Sequence, residues 1–297
     1  MTTSSGLLLI DKPAGLTSHD VVARLRKVLN ERRIGHAGTL DPMATGLLVV
    51  AVGSSTRLLR FAQSQSKHYI GTVRLGVATD SLDADGAIVA TATVPELSLE
   101  VVNAAAAAMI GPQTQVPPMV SALKVKGRRL HELAREGIEV ERAPRDIVIE
   151  SFVLTPTEQS GDWDFDVTCS VGTYVRVLLS DLAMALGTLG HLTALRRIAS
   201  GTHHVHDALT LEEVTALEDV TSALAPPRRL VESLESHVLG EGDVAKMRMG
   251  QRVALGESFE GDEIAVFERD GELVGVLRRR GELWKPEIVM APRGHEQ

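Results

Sequence analysis

The alternation of apolar and polar residues along the 297-residue chain predicts both strands and helices. Strands are predicted by the apolar run LLVVAV and by YIGTVRLGV, DIVIESFVL and WDFDVTCS, the last of which alternates with a period of two. Apolar residues at helical spacing predict helices in HDVVARLRKVLN, LEVVNAAAAAMIG and YVRVLLSDLAMALG. We assign Ser18 as the N-cap of the first helix and Gly187 as the residue that ends the third.

The predicted strands outnumber the helices that could connect parallel neighbours. This ratio favours an α+β fold with a mixed or antiparallel central sheet and helices packed on it. The segment GHAGTLDPMATG interrupts the pattern with Gly35, Gly38, Pro42 and Gly46, so we predict a loop there.

A proline pair in APPRR indicates a boundary near residue 227. We therefore predict a domain of residues 1–227, with a basic, proline-punctuated insertion at about 115–145, and a smaller domain of residues 228–297. A capping box of Thr210 and Glu213 starts a short helix before the boundary. In the smaller domain, IAVFERDGELVGVLRR predicts a β-hairpin that turns on Asp270-Gly271.

The chain has a net charge of −8, which by itself argues against a polyanionic partner. The distribution of charge reverses this impression. Residues 1–60 carry eight Lys/Arg and four Asp/Glu, and residues 120–145 carry seven and four, whereas residues 75–123 carry five acids and no base. Segregated basic charge suits a nucleic-acid-binding face, although solvated surface gives the same pattern.

Composition excludes some protein classes. Apolar runs are too short for a membrane span, and the N-terminus lacks the features of a signal peptide, so we expect a cytoplasmic protein with no membrane partner. The single cysteine, Cys169, excludes an internal disulfide and is predicted to be a buried thiol on a strand.

Asp41 is the strongest candidate for chemistry. Glycines around it permit close approach of a ligand, and the following proline holds it in an extended conformation, which suits a nucleophile. An ordinary Asp-Pro turn is the alternative. Arg176, in the first turn of a predicted helix, lies where the helix dipole disfavours a cation unless an anion is near. We expect Asp41 to be that anion and its pKa to fall in consequence.

Two other segments resemble metal sites. SLDADG imitates a calcium loop but lacks the bidentate glutamate, so we reject it. The cluster HHVHD, which contains His203, His204, His206 and Asp207, could share a metal ion if its histidines alternate on a strand. A surface loop of histidines is the alternative.

Seven blocks in order resemble the motifs of the bacterial TruB-type tRNA pseudouridine synthases. They are DKPAGLTSHDVV, GHAGTLDPMATGLLVVAVG, KHYIGTVRLG, TDSLDADG, PPMVSALKVKGRRLHELAREG, GTYVRVLLSDL and LRR, and they span roughly residues 6 to 200. The resemblance implies the pseudouridine synthase fold with a thumb-like insertion. It also implies isomerisation of the T-loop uridine of tRNA, at position 55, to pseudouridine, without cofactor or metal.

The resemblance also implies roles for individual residues. Asp41 is implied to be the catalytic residue, through attack on C1′, addition to the uracil ring or abstraction of the 2′ proton. Tyr69 stacks on the target base and is the candidate to remove its C5 proton. Arg176 pairs with Asp41, Leu195 lines the uracil pocket, and His36 fills the gap left by the flipped base. Lys12, in the first block, and Lys124, in the basic insertion, complete the expected substrate-binding residues.

The resemblance of the C-terminal residues to a PUA-like RNA-binding β barrel is looser. There we expect modest contact with RNA through residues 278–280 and Lys285. The expected partner is the T arm of tRNA, bound by a monomer that uses no guide RNA. A non-catalytic tRNA chaperone and a metal-dependent RNA hydrolase that uses the histidine cluster are the rival functions.

Overall fold

The computed structural model describes residues 5–121, 123–125 and 127–291. The helices, numbered along the chain, are α1 (Ser18–Val28), α2 (Leu59–Gln63), α3 (Leu99–Ala107), α4 (Leu130–Arg135), α5 (Val175–Ala185), α6 (Leu211–Ala216) and α7 (Glu241–Arg248). The strands are β1 (Gly6–Lys12), β2 (Ile34–His36), β3 (Thr45–Val52), β4 (Lys67–Leu75), β5 (Val77–Thr79), β6 (Ile88–Thr91), β7 (Gly111–Gln115), β8 (Lys124–Val125), β9 (Arg128–Arg129), β10 (Arg145–Pro156), β11 (Asp162–Cys169), β12 (Gly190–Ser200), β13 (His203–His204), β14 (Leu209–Thr210), β15 (Glu235–Val238), β16 (Glu263–Phe267), β17 (Leu273–Arg280) and β18 (Leu283–Val289).

A mixed sheet forms the centre of the fold. Its strands run in the order β14-β1-β3-β12-β4-β11-β10-β7, with β13 paired to β12 and β2 paired to β3. Neighbours are antiparallel except for β1 with β14 and β12 with β3, which are parallel. The α+β prediction with a mixed sheet is therefore confirmed. Among the described residues, no helix is long and apolar enough to cross a membrane.

The strongly patterned elements lie where the sequence predicts them. The four predicted strands are β3, β4, β10 and β11, and the three predicted helices are α1, α3 and α5. Gly187 follows the C-cap of α5 with a φ of 77°, which glycine adopts without strain. The Thr210–Glu213 capping box and the hairpin that turns at Gly271 are also present.

The assignment of Ser18 as the first N-cap is wrong by one residue. Thr17 has the extended backbone of a cap, its hydroxyl accepts a hydrogen bond from the Asp20 amide, and the Asp20 carboxylate accepts one from the Thr17 amide. Ser18 is the first helical residue, and its hydroxyl instead bonds the backbone of Leu40. Two adjacent hydroxyl residues satisfy the local pattern equally, and a tertiary contact decides between them.

The prediction of an unbroken loop over GHAGTLDPMATG is also wrong at its ends. Gly35 and His36 belong to β2, which pairs antiparallel with β3, and the segment ends inside β3 itself. Glycine is favoured at position 35 because a Cβ there would lie 2.8 Å from Cδ1 of Leu59, which is closer than an ordinary contact. The loop that carries Asp41 is therefore short and anchored by paired strands at both ends.

Four apolar clusters make up the core. One lies between the central sheet and helices α3 and α5 and includes Tyr69 and Leu195. Another lies around α1, β1 and β3, and one lies within the C-terminal sheet. The remaining cluster joins Leu7 and Leu47 to Val276 and Ile288. Apolar side chains from both sides of the predicted boundary near residue 227 thus share one buried surface.

The C-terminal residues form a small open sheet in the order β15-β16-β17-β18, with α7 packed beside it. Arg278 pairs with Glu263 at 2.7 Å and lies 3.8 Å from Glu287. Arg279 donates to the Phe259 and Gly261 carbonyls, with its guanidinium 5.0 Å from the centre of the Trp284 ring. The RNA contact predicted for these two arginines therefore competes with internal bonds, whereas Arg280 and Lys285 are exposed.

Strands β4 and β12 approach each other closely next to the cluster that contains Tyr69. Gly71 pairs with Leu195 in this ladder, and a Cβ on Gly71 would lie 2.0 Å from the Ala194 carbonyl oxygen. The register of β12 shifts between Leu192 and Ala194, as expected for a bulge beside a tight contact. Only glycine fits this position while the backbone of β12 stays in place.

We expect Gly71→Ala to lower the free energy of unfolding by about 1–3 kcal/mol or more, because the backbone of β12 must move. Urea denaturation followed by circular dichroism measures the change. Gly242→Ala is the control, because a Cβ there meets open space and α7 favours alanine over glycine. Equal stability of the wild type and Gly71→Ala would contradict the close approach.

Candidate active site

The loop between β2 and β3 carries Asp41 and is held on both sides of it. The Ser18 hydroxyl accepts from the Leu40 amide at 2.9 Å and donates to the Leu40 carbonyl at 3.2 Å. The Pro42 carbonyl accepts from the Gly15 amide at 2.8 Å and from the Lys12 ammonium at 3.3 Å. Lys12, Gly15 and Ser18 therefore hold the backbone on both sides of Asp41.

Arg176 is buried at the start of α5 and binds two carboxylates. Its Nε lies 3.0 Å from Asp41 Oδ2 and its Nη2 lies 3.2 Å from Asp41 Oδ1, which is a bidentate pair. Its Nη1 lies 3.1 Å from Asp83 Oδ2. The carbonyls of Ser81 and Val120 accept from Nη1 and Nη2 at 2.8 and 2.9 Å. These acceptors match the five N–H donors of a guanidinium and fix its orientation.

The predicted pairing of Asp41 with Arg176 is thus present, but the predicted fall in the pKa of Asp41 is wrong. Burial raises the pKa of the Asp41 carboxyl above its ordinary value, the Arg176 charge opposes this rise, and the Asp83 charge adds to it. Two carboxylates share one cation here, so their mutual repulsion offsets part of the attraction between Arg176 and Asp41. Loss of solvation therefore outweighs it.

Asp41 opens onto a cavity of about 440 Å³, which is within the usual range for ligand sites. The side chain of Asp41 is 34% exposed, whereas that of Arg176 behind it is 3% exposed. Five of the sequence-predicted site residues line this cavity: His36, Asp41, Tyr69, Arg176 and Leu195. The fold therefore brings together residues from four separate segments of the chain, one of which carries both His36 and Asp41.

Three of these residues supply the surfaces that a flat ring needs. Tyr69 and Leu195 are each 8% exposed and project from the neighbouring strands β4 and β12. His36 ends β2 at the mouth of the Asp41 loop and is partly exposed. Burial lowers the pKa of His36, so its imidazole is neutral at neutral pH and can stack without the cost of desolvating a charge.

Lys12 differs from the other predicted site residues because it does not line the cavity. It is fully buried, and its ammonium donates to the carbonyls of Pro13 and Leu16 at 2.9 and 2.7 Å as well as to Pro42. Burial lowers its pKa to about 8, which still leaves the ammonium form dominant at neutral pH. Its contacts position the Asp41 loop, and direct contact with a substrate stays a prediction.

The basic insertion joins the site through its first residues. Gln115 exchanges two hydrogen bonds with the backbone of Tyr174, and Val120 accepts from Arg176. The insertion continues into the hairpin β8–β9 and helix α4. The side chain of Lys124 lies outside the described part of the chain, so its role as a substrate-binding residue stays a prediction.

Three residues around the site were missed by sequence reasoning. Asp83, which we dismissed as part of a calcium-like loop, is buried and bound to Arg176. Lys67 and Arg197 are also buried and line the cavity beside Tyr69. Each of the three lies in one of the seven blocks, and that shared position was the available signal.

The histidine cluster lies away from this site. His203 is buried in β13, whereas His204 and His206 stack on each other with ring centres 5.2 Å apart. In the part of the chain that the structure describes, no group of three or more His, Cys, Asp or Glu side chains is arranged to hold a metal ion. Cys169 is the predicted buried thiol, and burial raises its pKa to about 11.

The family model described as the TruB family pseudouridylate synthase N-terminal domain matches residues 26–175. The tRNA pseudouridylate synthase B C-terminal domain matches residues 176–239. A tRNA pseudouridine synthase B from Arthrobacter sp. (strain FB24) is 41% identical over 304 residues, which cover 98% of each chain. The protein of the same name from Opitutus terrae is 50% identical over 212 residues, or 71% of this chain and 88% of that one.

Solved structures have the same fold. A Cbf5–Nop10–Gar1 complex contains a chain that superimposes with a TM-score of 0.76 at 25% identity, covering 98% of this chain and 86% of that one. A chain of an H/ACA ribonucleoprotein bound to a substrate RNA gives a TM-score of 0.74 at 23% identity, covering 97% of this chain and 86% of that one.

We expect Arg176→Met to raise the pKa of Asp41 further, because two carboxylates then lose the cation they share. The free energy of unfolding should fall by about 3–5 kcal/mol, the usual cost of leaving a buried charge unpaired. Carbon-13 NMR of aspartate side chains reports the titration, and urea denaturation reports the stability.

The matched control for this variant is Arg74→Met. It removes another bidentate arginine–aspartate pair, in which Arg74 Nε and Nη2 each lie 2.8 Å from a carboxylate oxygen of Asp162. An unchanged titration of Asp41 in Arg176→Met would show that the bidentate pair does not control this carboxylate.

Proposed function

The chain belongs to the TruB family of pseudouridylate synthases, and from that premise we propose that it converts a uridine in the T loop of tRNA to pseudouridine through Asp41. It is a tRNA pseudouridine synthase, an isomerase. The observation that carries the proposed site is the bidentate pair of Asp41 and Arg176 on the wall of a cavity that Tyr69 and Leu195 also line.

The reaction requires the target uracil to leave the stack of bases in the RNA. Extrusion costs a few kcal/mol, so the enzyme must supply a pocket for the uracil and a replacement in the gap it leaves. Tyr69 and Leu195 offer a pair of apolar surfaces for the ring. His36, neutral and partly exposed beside the cavity, is suited to fill the gap.

The reaction then replaces the N1–C1′ bond with a C5–C1′ bond. The N1–C1′ bond breaks, the uracil turns, and a C5–C1′ bond forms while the C5 proton leaves and N1 gains a proton. Asp41 acts in the first stage, and its carboxylate is held by two N–H donors of Arg176 so that it cannot rotate away from the substrate. Tyr69 faces the same cavity and is our candidate to take the C5 proton.

The second carboxylate near the site does not serve as a water-activating base. Asp83 is 4% exposed, and its oxygens are bound by Arg176, by the Ser81 hydroxyl at 2.5 Å and by the Asp85 amide at 3.1 Å. Hydrolysis of a glycosidic bond commonly uses a pair of accessible carboxylates. Among the described residues that line the cavity, Asp41 is the one carboxylate, which suits an isomerase, in which no water is consumed.

The substrate class follows from charge and family. The basic insertion and residues 1–60 carry the segregated positive charge that the RNA backbone requires. We expect a monomer in the cytoplasm that binds the T arm directly, with no guide RNA, cofactor or metal.

We expect the wild type to release tritium from a T-arm RNA labelled at C5 of uridine, with the same rate when a chelator is added. Asp41→Asn should lose release by at least about 10³-fold while it still binds RNA, because the amide can neither attack nor accept a proton. Filter binding measures the affinity in parallel. Tight binding without release by the wild type would favour the chaperone, and loss of activity on chelation would favour a metal-dependent enzyme.

The pH dependence should report the Asp41 carboxyl. Its pKa is raised above 3.8, so the ionised form is lost at a higher pH than for an exposed aspartate, and the single-turnover rate should fall as pH decreases through that raised value. Single-turnover assays quenched at successive times, at a series of acidic pH values, give the dependence of the rate on pH. A rate that stays constant down to the ordinary aspartate pKa would show that ionised Asp41 is not required.

A further inference from the structure

Two buried cations lie beside Tyr69 with no carboxylate partner in the part of the chain that the structure describes. Lys67 and Arg197 are 5% and 1% exposed. Within the described residues, neither has an Asp or Glu oxygen within 4.0 Å, whereas Arg176 has two such carboxylates. A buried charge is costly unless it is paired, so a pair of uncompensated cations in one cavity wall requires an explanation.

Both cations face the same place as Tyr69. Arg197 is the cross-strand partner of Tyr69, and Lys67 precedes Tyr69 by two residues in β4, so the side chains project from one face of the sheet. All three line the cavity that Asp41 opens onto. The positive charge is therefore placed next to the ring that is expected to stack on the uracil.

The two cations differ in how they are held. The Lys67 ammonium donates to the carbonyls of Ala62, Gln63 and Gln65, which uses the three hydrogens that an ammonium has. Lys67 therefore acts through its charge and not through a direct bond to a ligand. Its carbonyl partners lie in or just after α2, which fixes the position of the charge.

Arg197 retains donor capacity. Its Nε donates to the Leu47 carbonyl at 2.7 Å and its Nη2 donates to the Gly38 carbonyl at 3.1 Å. Burial raises the pKa of the Tyr69 hydroxyl, and the charge of the neighbouring Arg197 opposes this rise. A guanidinium has five N–H donors, so Arg197 can still donate to an oxygen that enters the cavity.

The uracil gains negative charge whichever role Asp41 takes. When N1–C1′ breaks by attack at C1′ or by loss of the 2′ proton, the bonding electron pair stays on the base, which leaves as an anion shared by N1, O2 and O4. Addition of a carboxylate to C6 places the same charge on O4 and C5. The C5–C1′ bond then uses this electron pair, which neutralises the ring, and the product forms when C5 loses its proton and N1 gains one.

We propose that Arg197 and Lys67 stabilise the anionic uracil of the transition state, Arg197 as a hydrogen-bond donor to a ring oxygen and Lys67 as a fixed charge behind it. Preorganised charge at the place where charge develops is a large source of rate enhancement. This inference rests on the proposed function, because it requires that uracil be the base in the cavity.

The test compares two substrates. A T-arm RNA carries either uridine or 5-fluorouridine at the target position, and the fluorine stabilises the uracil anion by induction. Single-turnover loss of the target nucleoside is followed by nuclease digestion and chromatography. We expect Lys67→Met and Arg197→Gln to slow uridine conversion by about 10²-fold, the usual effect of losing one oxyanion donor. The loss with 5-fluorouridine should be at least about threefold smaller, because that anion needs less stabilisation.

Two further variants separate charge from packing. Lys67→Arg keeps the positive charge and should convert uridine within about fivefold of the wild-type rate, which also shows that the position tolerates substitution. Arg74→Met lies on the same strand outside the cavity and should leave both rates unchanged. Thermal melting identifies any variant that fails to fold.

Three results would overturn the inference. Equal losses with both substrates would show that the two residues only position the site. An unchanged rate together with weaker RNA binding would assign the cations to a backbone phosphate. Wild-type rates in both variants would remove any role for them. Failure of the proposed function is a separate outcome, because the wild type itself would then not convert uridine.

Discussion

The site depends on one guanidinium that is removed from water. Arg176 is buried in α5, and the five acceptors around it come from three other parts of the chain: the loop of Asp41, the loop of Ser81 and Asp83, and the start of the insertion at Val120. An arginine in this position is stable only when every donor is satisfied. The requirement therefore holds four segments in register, and one of them carries Asp41, the carboxylate that we propose to be catalytic.

The same constraint explains the electrostatics of Asp41. A simple ion pair would lower the pKa of the carboxyl, but here the cation is shared with Asp83 and both carboxylates lose solvent. The Asp41 carboxylate is poorly solvated within the pair, which makes its oxygens more basic than those of a surface aspartate. The shared cation and the loss of solvent therefore leave the Asp41 carboxylate more basic and less stabilised than it would be in a simple ion pair.

Backbone carbonyls satisfy the other buried cations around the site. Lys12 binds three carbonyls beneath the Asp41 loop, and Lys67 binds three at the end of α2. Carbonyl dipoles hold an ammonium in place without neutralising it, so its charge remains available to the cavity. The carboxylates are concentrated on Arg176, while the positive charge near Tyr69 is left uncompensated by acids among the described residues.

The C-terminal sheet is joined to the rest by both apolar and charged contacts. Leu7 and Leu47 pack in one cluster with Val276 and Ile288. Glu263 accepts from Arg60 of α2 at 2.6 Å and from Arg278 at 2.7 Å. Helix α2 therefore contacts the C-terminal sheet through Arg60 and the Lys67 ammonium through its last two carbonyls, so it links the sheet to one wall of the cavity.

The sequence by itself determined the main helices and strands and the candidate residues of the site. Periodicity located β3, β4, β10 and β11 and the helices α1, α3 and α5, because burial on one face imposes a repeat that is visible locally. Ordered motifs singled out Asp41, Tyr69 and Arg176. Only the tertiary structure decided which hydroxyl caps α1, that Asp83 shares Arg176 with Asp41, and that the pKa of Asp41 is raised. Each of these depends on contacts between residues far apart in the chain and on the exclusion of solvent from them. The spacing of residue types along the chain contains no information on either.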